Sequence, residues 1–221
     1  MAASMDVRPI LEFLRGLKRN NDRGWFESHR ADFQTARDDF EEYVASILHE
    51  LGRTEALGGV TPKDCIFRLN RDLRFSKDKS PYKPYMSAYI APGGRKSRRL
   101  GYYLHIEPGD HSMLAGGLHE PDADHLAKWR NAIDRNPGPF KTIIRGKSFK
   151  RYFGELRGEK LKTAPKGYPR DHPELELLRL KQVTVARPLL DKEMLAPDLL
   201  KETLKTFKAM RPFLRYLDDL G

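Results

Sequence analysis

Met86-Ser87-Ala88-Tyr89-Ile90-Ala91, Gly101-Tyr102-Tyr103-Leu104-His105-Ile106-Glu107 and Met113-Leu114-Ala115-Gly116-Gly117-Leu118-His119 are three short, mostly apolar runs. Pro92-Gly93-Gly94 and Pro108-Gly109-Asp110 stand between them. Runs of this length bounded by Pro/Gly punctuation read as strands, and short connections between successive strands favour antiparallel pairing. Cys65-Ile66-Phe67-Arg68 reads as a strand entering this block, and Val183-Thr184-Val185-Ala186 as one returning strand much later.

Outside the block the apolar period is helical. Ile10, Leu11, Phe13, Leu14 and Leu17 predict a short amphipathic helix that opens near Asp6 and tolerates Pro9 in its first turn. Trp25 to Leu51 predicts one long helix with a stripe of Phe26, Phe33, Ala36, Phe40, Val44, Ile47 and Leu48. Asp122 or Asp124 can cap a helix carrying Leu126, Trp129, Ala132 and Ile133, which Asn136-Pro137 breaks. Shorter turns follow at Phe140–Ile144 and Ser148–Phe153, then a loop over 160–173 and a helix from Glu174 capped by Asp171 or His172. Asp198 opens a last helix through Leu217, with a kink expected at Pro212. This order predicts an α+β fold, mainly an antiparallel sheet covered by helices, with long N-terminal and C-terminal helices. One domain over 1–221 is expected, with about 7–217 as its folded core.

The chain has 221 residues, a net charge of +10 and one cysteine. A single cysteine excludes an internal disulfide framework and a Cys-cluster zinc site, and Cys65 in its apolar run reads as an inert buried thiol. No apolar run approaches the roughly 20 residues that span a bilayer, and Met1–Val7 lacks a signal-peptide pattern. A cytoplasmic protein with no membrane partner is expected.

The charge is concentrated. Residues 63–99 hold eleven Lys/Arg against three Asp/Glu, and residues 141–170 hold ten against two. The rest of the chain is net acidic. Within the first window, Arg68, Arg71, Arg74, Lys77, Lys79 and Lys83 crowd sixteen residues. Cations held close on a folded surface repel, so such a segment calls for an anionic partner, often phosphate or carboxylate. Tyr82 is placed to stack or hydrogen-bond with a ligand, or else to pack beneath the sheet. Lys166 and Arg170 would extend the site from the second window, meeting Arg71, Arg74 and Lys79 around one cleft. Against this stands a plain reading in which Arg71 or Arg74 pairs with Asp72 or Asp78 and fixes a loop.

The run Phe67-Arg-Leu-Asn-Arg-Asp-Leu-Arg-Phe-Ser-Lys-Asp-Lys-Ser-Pro-Tyr-Lys resembles the signature of the family called domain of unknown function 2461. Asn20-Asn-Asp-Arg-Gly-Trp-Phe, Tyr102-Tyr-Leu-His-Ile-Glu-Pro-Gly with Gly116-Gly117, and Pro165-Lys-Gly-Tyr-Pro-Arg-Asp-His-Pro with Leu177-Leu-Arg-Leu-Lys resemble it too, in order. The resemblance runs from about Ile10 to Leu217 and implies a single-domain family member without an assigned reaction.

A second polar group is Tyr103, His105 and Glu107 on one strand face, followed by Asp110, His111, His119 and Glu120. His105 and Glu107 are the candidates for acid–base work, with His119 near them if the two strands form a hairpin. A salt bridge on a wet sheet face is the bland alternative. No metal site or cofactor is assigned. GxGxxG, HExxH, GxSxG and Walker spacings are absent. Gly116-Gly117 reads as a close backbone approach, to a ligand or to Trp129. Three functions stay open: binding an anionic small molecule or nucleic acid, an enzyme on a phosphorylated or carboxylate substrate, and a structural or protein-interaction module.

Overall fold

The computed structural model describes residues 6–74 and 78–220. The architecture is α+β: a four-stranded antiparallel sheet of order β1-β2-β3-β4 (Met86–Ile90, Tyr102–Ile106, Ser112–Leu118, Val183–Leu189) among helices. The helices are α1 (Arg8–Arg19), α2 (Arg23–Ser28), α3 (Arg30–Gly52), α4 (Pro62–Cys65), α5 (Ala123–Arg135), α6 (Gly138–Arg145), α7 (Lys147–Phe153), α8 (Leu175–Leu178), α9 (Asp191–Met194) and α10 (Leu199–Asp218). Contacts divide the chain into two compact units. The first comprises residues up to Arg98, Tyr103–Leu114 and Pro188–Lys205, and the second Arg99–Tyr102, Ala115–Arg187 and Thr206 onward.

In the first unit, α1 packs on α3 and α3 on β1. Alternation along the strands supplies the core. Met86, Ala88 and Ile90 of β1 and Leu104 and Ile106 of β2 are buried. They join Leu11, Leu14 and Leu17 of α1 and Phe40, Val44 and Ile47 of α3. Tyr43 of α3 is fully buried, and its hydroxyl meets Thr203 Oγ1 at 2.7 Å, so neither polar group is stranded. In the second unit, Trp129, Phe140, Phe149, Phe207 and Phe213 form an aromatic core. Tyr102 stacks on Phe207 with centroids 4.5 Å apart.

Several expectations need local correction. The helix predicted over 25–51 is broken at His29, whose backbone (φ −112°, ψ 24°) leaves helical space. Its ring stacks on Trp25 at 4.0 Å and its Nδ1 lies 2.8 Å from the Trp25 carbonyl, so a side chain competes for a helical acceptor. Cys65 ends α4 instead of opening a strand, because the Thr61–Asp64 capping box closes a helical turn there. Its thiol is buried, and burial ahead of nearby Asp64 pushes it up to about 11. The helix expected from Glu174 is the single turn of α8, and His172 Nδ1, not Asp171, accepts from the Glu174 amide at 3.0 Å. Helix α10 runs past Pro212 to Asp218, in keeping with the expected single last helix. The Gly pair serves packing, but against α10 and β4 instead of Trp129. A Cβ on Gly116 would come within 2.6 Å of Met210 Sδ, and one on Gly117 (φ +120°) would strike the Val183 carbonyl.

Candidate anion-binding ribbon

The basic segment folds as a two-stranded ribbon. Ile66 bridges Ala88 and Asn70 bridges Tyr82, both antiparallel. Phe67 N–H donates to the Ser87 carbonyl, Lys83 N–H to Leu69 and Arg71 N–H to Pro81, each at 2.9 Å. The register slips between these pairs. Residues 67 to 69 on one side oppose 83 to 87 on the other, so Pro84 and Tyr85 bulge out of the ladder. Pro84 has no N–H to offer there, which suits a bulge. The base of the ribbon is held from α1–α2: Asn21 Nδ2 donates to the Tyr82 carbonyl at 2.9 Å, and Tyr82 N–H donates to Asn21 Oδ1 at 3.1 Å. Sequence reasoning gave Asn21 no role, although it lies in one of the segments that carry the family resemblance. Tyr82 is buried and stacks on Phe26 at 4.2 Å, which is the packing alternative.

The ribbon's arginines are largely spoken for within it. Arg74 clamps Asp72 at 2.7 and 3.0 Å, and this fork, more than the backbone amide of Arg74 or the charge of Arg68 at 3.7 Å, drives the Asp72 carboxyl far below the usual range. Arg71 pairs with Asp78 at 2.9 Å and donates to the Tyr82 carbonyl at 3.3 Å, while its buried Nε finds no acceptor among the described residues. The loop-fixing network anticipated for these residues is therefore present. The lysines behave differently. Lys79 Nζ donates to the Leu73 carbonyl at 3.0 Å and Lys83 Nζ to the Arg68 carbonyl at 3.2 Å. Among the described residues neither reaches a carboxylate within 4.0 Å. Arg68 is exposed, and among the described residues its side chain pairs with Asp72 alone, at 3.7 Å. Lys77 lies outside the described residues. Lys166 and Arg170 are exposed members of the second unit.

Behind the ribbon stands the strand-face group. The bulged Tyr85 ring packs 4.4 Å from the His105 ring, and Phe67 meets Tyr103 edge-on at 6.5 Å. Tyr103 hydroxyl lies 3.1 Å from His105 Nδ1, and His105 Nε2 lies 3.1 Å from Glu107. Lys18 of α1 completes the row, donating to the other Glu107 oxygen at 3.0 Å. Burial lowers the His105 pKa, with Glu107 opposing and distant His111 assisting, so the imidazole is neutral. The row then has one consistent direction: Tyr103 O–H donates to Nδ1, and Nε2–H donates to Glu107. Glu107 is raised by burial, but Lys18 and His105 outweigh this and leave it below the ordinary carboxylate range. Tyr103 is pushed up by burial, with Ser87 as a hydrogen-bond partner opposing.

Both ring nitrogens of His105 are occupied and its side chain is 9% exposed, while that of Glu107 is 20% exposed. His119 lies beyond β3, exposed, in the second unit. Asp110 instead joins a tie between the β2–β3 turn and α9: Asp191 accepts from the Gly109 and Asp110 amides and from Arg15 at 2.7 Å. Lys18 and Arg15 carried no motif; only the fold brings them to Glu107 and Asp191. Among the described residues no three His, Cys, Asp or Glu side chains gather to hold a metal ion, and no helix is long and apolar enough to cross a membrane.

A family model described as a conserved hypothetical protein (DUF2461) matches residues 9–216. No curated protein and no solved structure matches the chain.

Proposed function

The chain belongs to the family described as conserved hypothetical protein (DUF2461), whose description names no activity, and we propose from its own residues that the 66–88 ribbon binds a phosphate- or carboxylate-bearing ligand. The observation that carries this reading is the pair Lys79 and Lys83. Both amines are held on backbone carbonyls, with no carboxylate in ion-pairing reach among the described residues. Arg68 stands exposed, its backbone carbonyl holding the Lys83 amine. Five described cations face two carboxylates over 68–83, so the ribbon keeps a positive excess after its internal pairs are made. Arg71 and Arg74 shape the ribbon in this reading and contact the ligand less.

Proton chemistry by His105 and Glu107 draws no support from a buried imidazole with both nitrogens engaged. A protein-docking role draws none from surface composition: the exposed large apolar side chains among the described residues are Leu190 and Leu195, outside the ribbon.

Calorimetric titration with inorganic phosphate, a nucleoside monophosphate and a short single-stranded oligonucleotide, each at several salt concentrations, tests the reading. Binding should weaken as salt rises and fall at least about tenfold in the Arg68→Ala/Lys79→Ala/Lys83→Met variant. Unchanged affinity in that folded triple variant would remove the ribbon as the site. Preference for the oligonucleotide over the monophosphate would move the ligand class to nucleic acid. Lys166→Ala/Arg170→Ala tests separately whether the second basic window takes part.

A further inference from the structure

A cleft of about 440 Å³ lies in the first unit, and no residue of the ribbon lines it. That volume falls in the range of small-molecule sites, about 300–1,000 Å³. One wall is a face of α1. Glu12, Gly16 and Arg19 follow one another at helical spacing and share that face, with Glu12 and Arg19 about 10 Å apart along the axis. The other wall comes from the α2–α3 junction, with Trp25, His29 and Asp32.

The middle of the cleft is aromatic. The Phe13 and Trp25 rings lie 5.9 Å apart, and the indole rests close on Gly16, where a Cβ would come within 2.7 Å of Trp25 Cζ2. His29 stacks on the indole at 4.0 Å. Its Nδ1–H donates to the Trp25 carbonyl at 2.8 Å, which leaves Nε2 without a partner among the described residues. The flanking groups are charged. Glu12, Arg19 and Asp32 are exposed, and among the described residues none of them forms an ion pair, whereas Arg15 and Lys18 of α1 and Arg37 of α3 are all paired. Two carboxylates and one guanidinium around an aromatic middle complement a molecule with two cationic groups, one carboxylate and an apolar stem.

We propose that this cleft binds a free basic amino acid, lysine or arginine. Its cationic groups meet Glu12 and Asp32, and its carboxylate meets the planar fork of Arg19. Its methylene stem lies along Phe13 and Trp25, as the stems of such side chains lie along apolar surface elsewhere. The site is separate from the ribbon and does not depend on the anion-binding reading.

Calorimetric titration of the full-length protein with L-lysine and L-arginine should give saturable binding. Norleucine, which lacks the terminal amine, and cadaverine, which lacks the carboxylate, should each bind at least about tenfold more weakly than lysine. Glu12→Gln/Asp32→Asn should weaken lysine binding by at least about tenfold, and Arg19→Met should weaken lysine while leaving cadaverine unchanged. All three positions are exposed, so the thermal midpoints of these variants should stay in place and a loss of binding is read directly. The ribbon variant Arg68→Ala/Lys79→Ala/Lys83→Met should bind lysine as the wild type does. Absence of saturable binding by either amino acid, or full binding in Glu12→Gln/Asp32→Asn, would overturn the proposal. Norleucine or cadaverine binding as tightly as lysine would overturn it too, because the charged ends would then not select the ligand. Loss of lysine binding in the ribbon variant would place the amino acid at the ribbon and overturn the cleft as its site.

Discussion

His105 is held between a hydroxyl donor and a carboxylate acceptor, and burial favours its neutral form. A histidine whose pKa falls on folding binds more protons in the unfolded chain. Its contribution is thus complete above the ordinary value of 6.5 and is lost as pH drops through the lowered folded value. Glu107 is lowered as well, so its contribution is present above 4.5 and is lost at still lower pH. The thermal midpoint should accordingly decline in two stages on acidification. His105→Gln should flatten the first stage and, with Lys18 left to lower Glu107, shrink the second, and a variant with an unchanged profile would contradict the neutral assignment. Arg71 and Arg74 make a contrasting pair. Arg71→Ala removes a stem that is 20% exposed and a bond to the Tyr82 carbonyl, and should cost about 1–2 kcal/mol in denaturant unfolding. Arg74→Ala removes an exposed pair and should leave the unfolding midpoint nearly in place.

Elements here are fixed by a few points of contact that periodicity does not report. The ribbon is fastened at its base by Asn21, whose amide satisfies both backbone groups of Tyr82. Asn21→Ala should therefore cost about 1–3 kcal/mol, with two buried-edge bonds lost together, and should also weaken anion binding if the ribbon is the site. Asn21→Asp keeps the acceptor and loses the donor, so it should fall between the two in a urea titration. On β3, Gly117 combines a left-handed backbone with contact to the Val183 carbonyl. Gly117→Ala should destabilise by about 2–4 kcal/mol or prevent folding, whereas Gly154→Ala, which has a left-handed backbone but open space, should cost about 1 kcal/mol. Equal effects would mean that backbone conformation alone, and not the close approach, decides the first.

For the molecule as a whole, the division into units follows space and not chain order: β2, β3, β4 and α10 each contribute residues to both units. No cut in the sequence separates them, so a single cooperative unfolding transition is expected, as the one-domain reading requires. Differential scanning calorimetry checks this, and two resolved transitions would contradict it. The net charge of +10 adds a global term. Association with anions should accelerate as ionic strength falls, for the wild type and for Arg74→Ala alike, since long-range attraction sums over all charges.

The strand block, the helix stripes, the cap at Asp122 and the burial of Cys65 were legible in the sequence, because each follows from the spacing of neighbouring residues. The break at His29 was not, because apolar spacing continues through it while a ring and a backbone acceptor decide otherwise. The basic segment was visible as charge, but its division of labour was not. Asp78 adjoins Lys77 and Lys79 in sequence and Asp72 adjoins Arg71, yet folding assigns Asp78 to Arg71 and Asp72 to Arg74. Composition determined that this protein carries a dense cationic segment in an α+β chain. Tertiary structure decided which of its cations are already neutralised and which amine, that of Lys83, rests on aromatic rings, since ion pairing and desolvation depend on distances that chain order does not set.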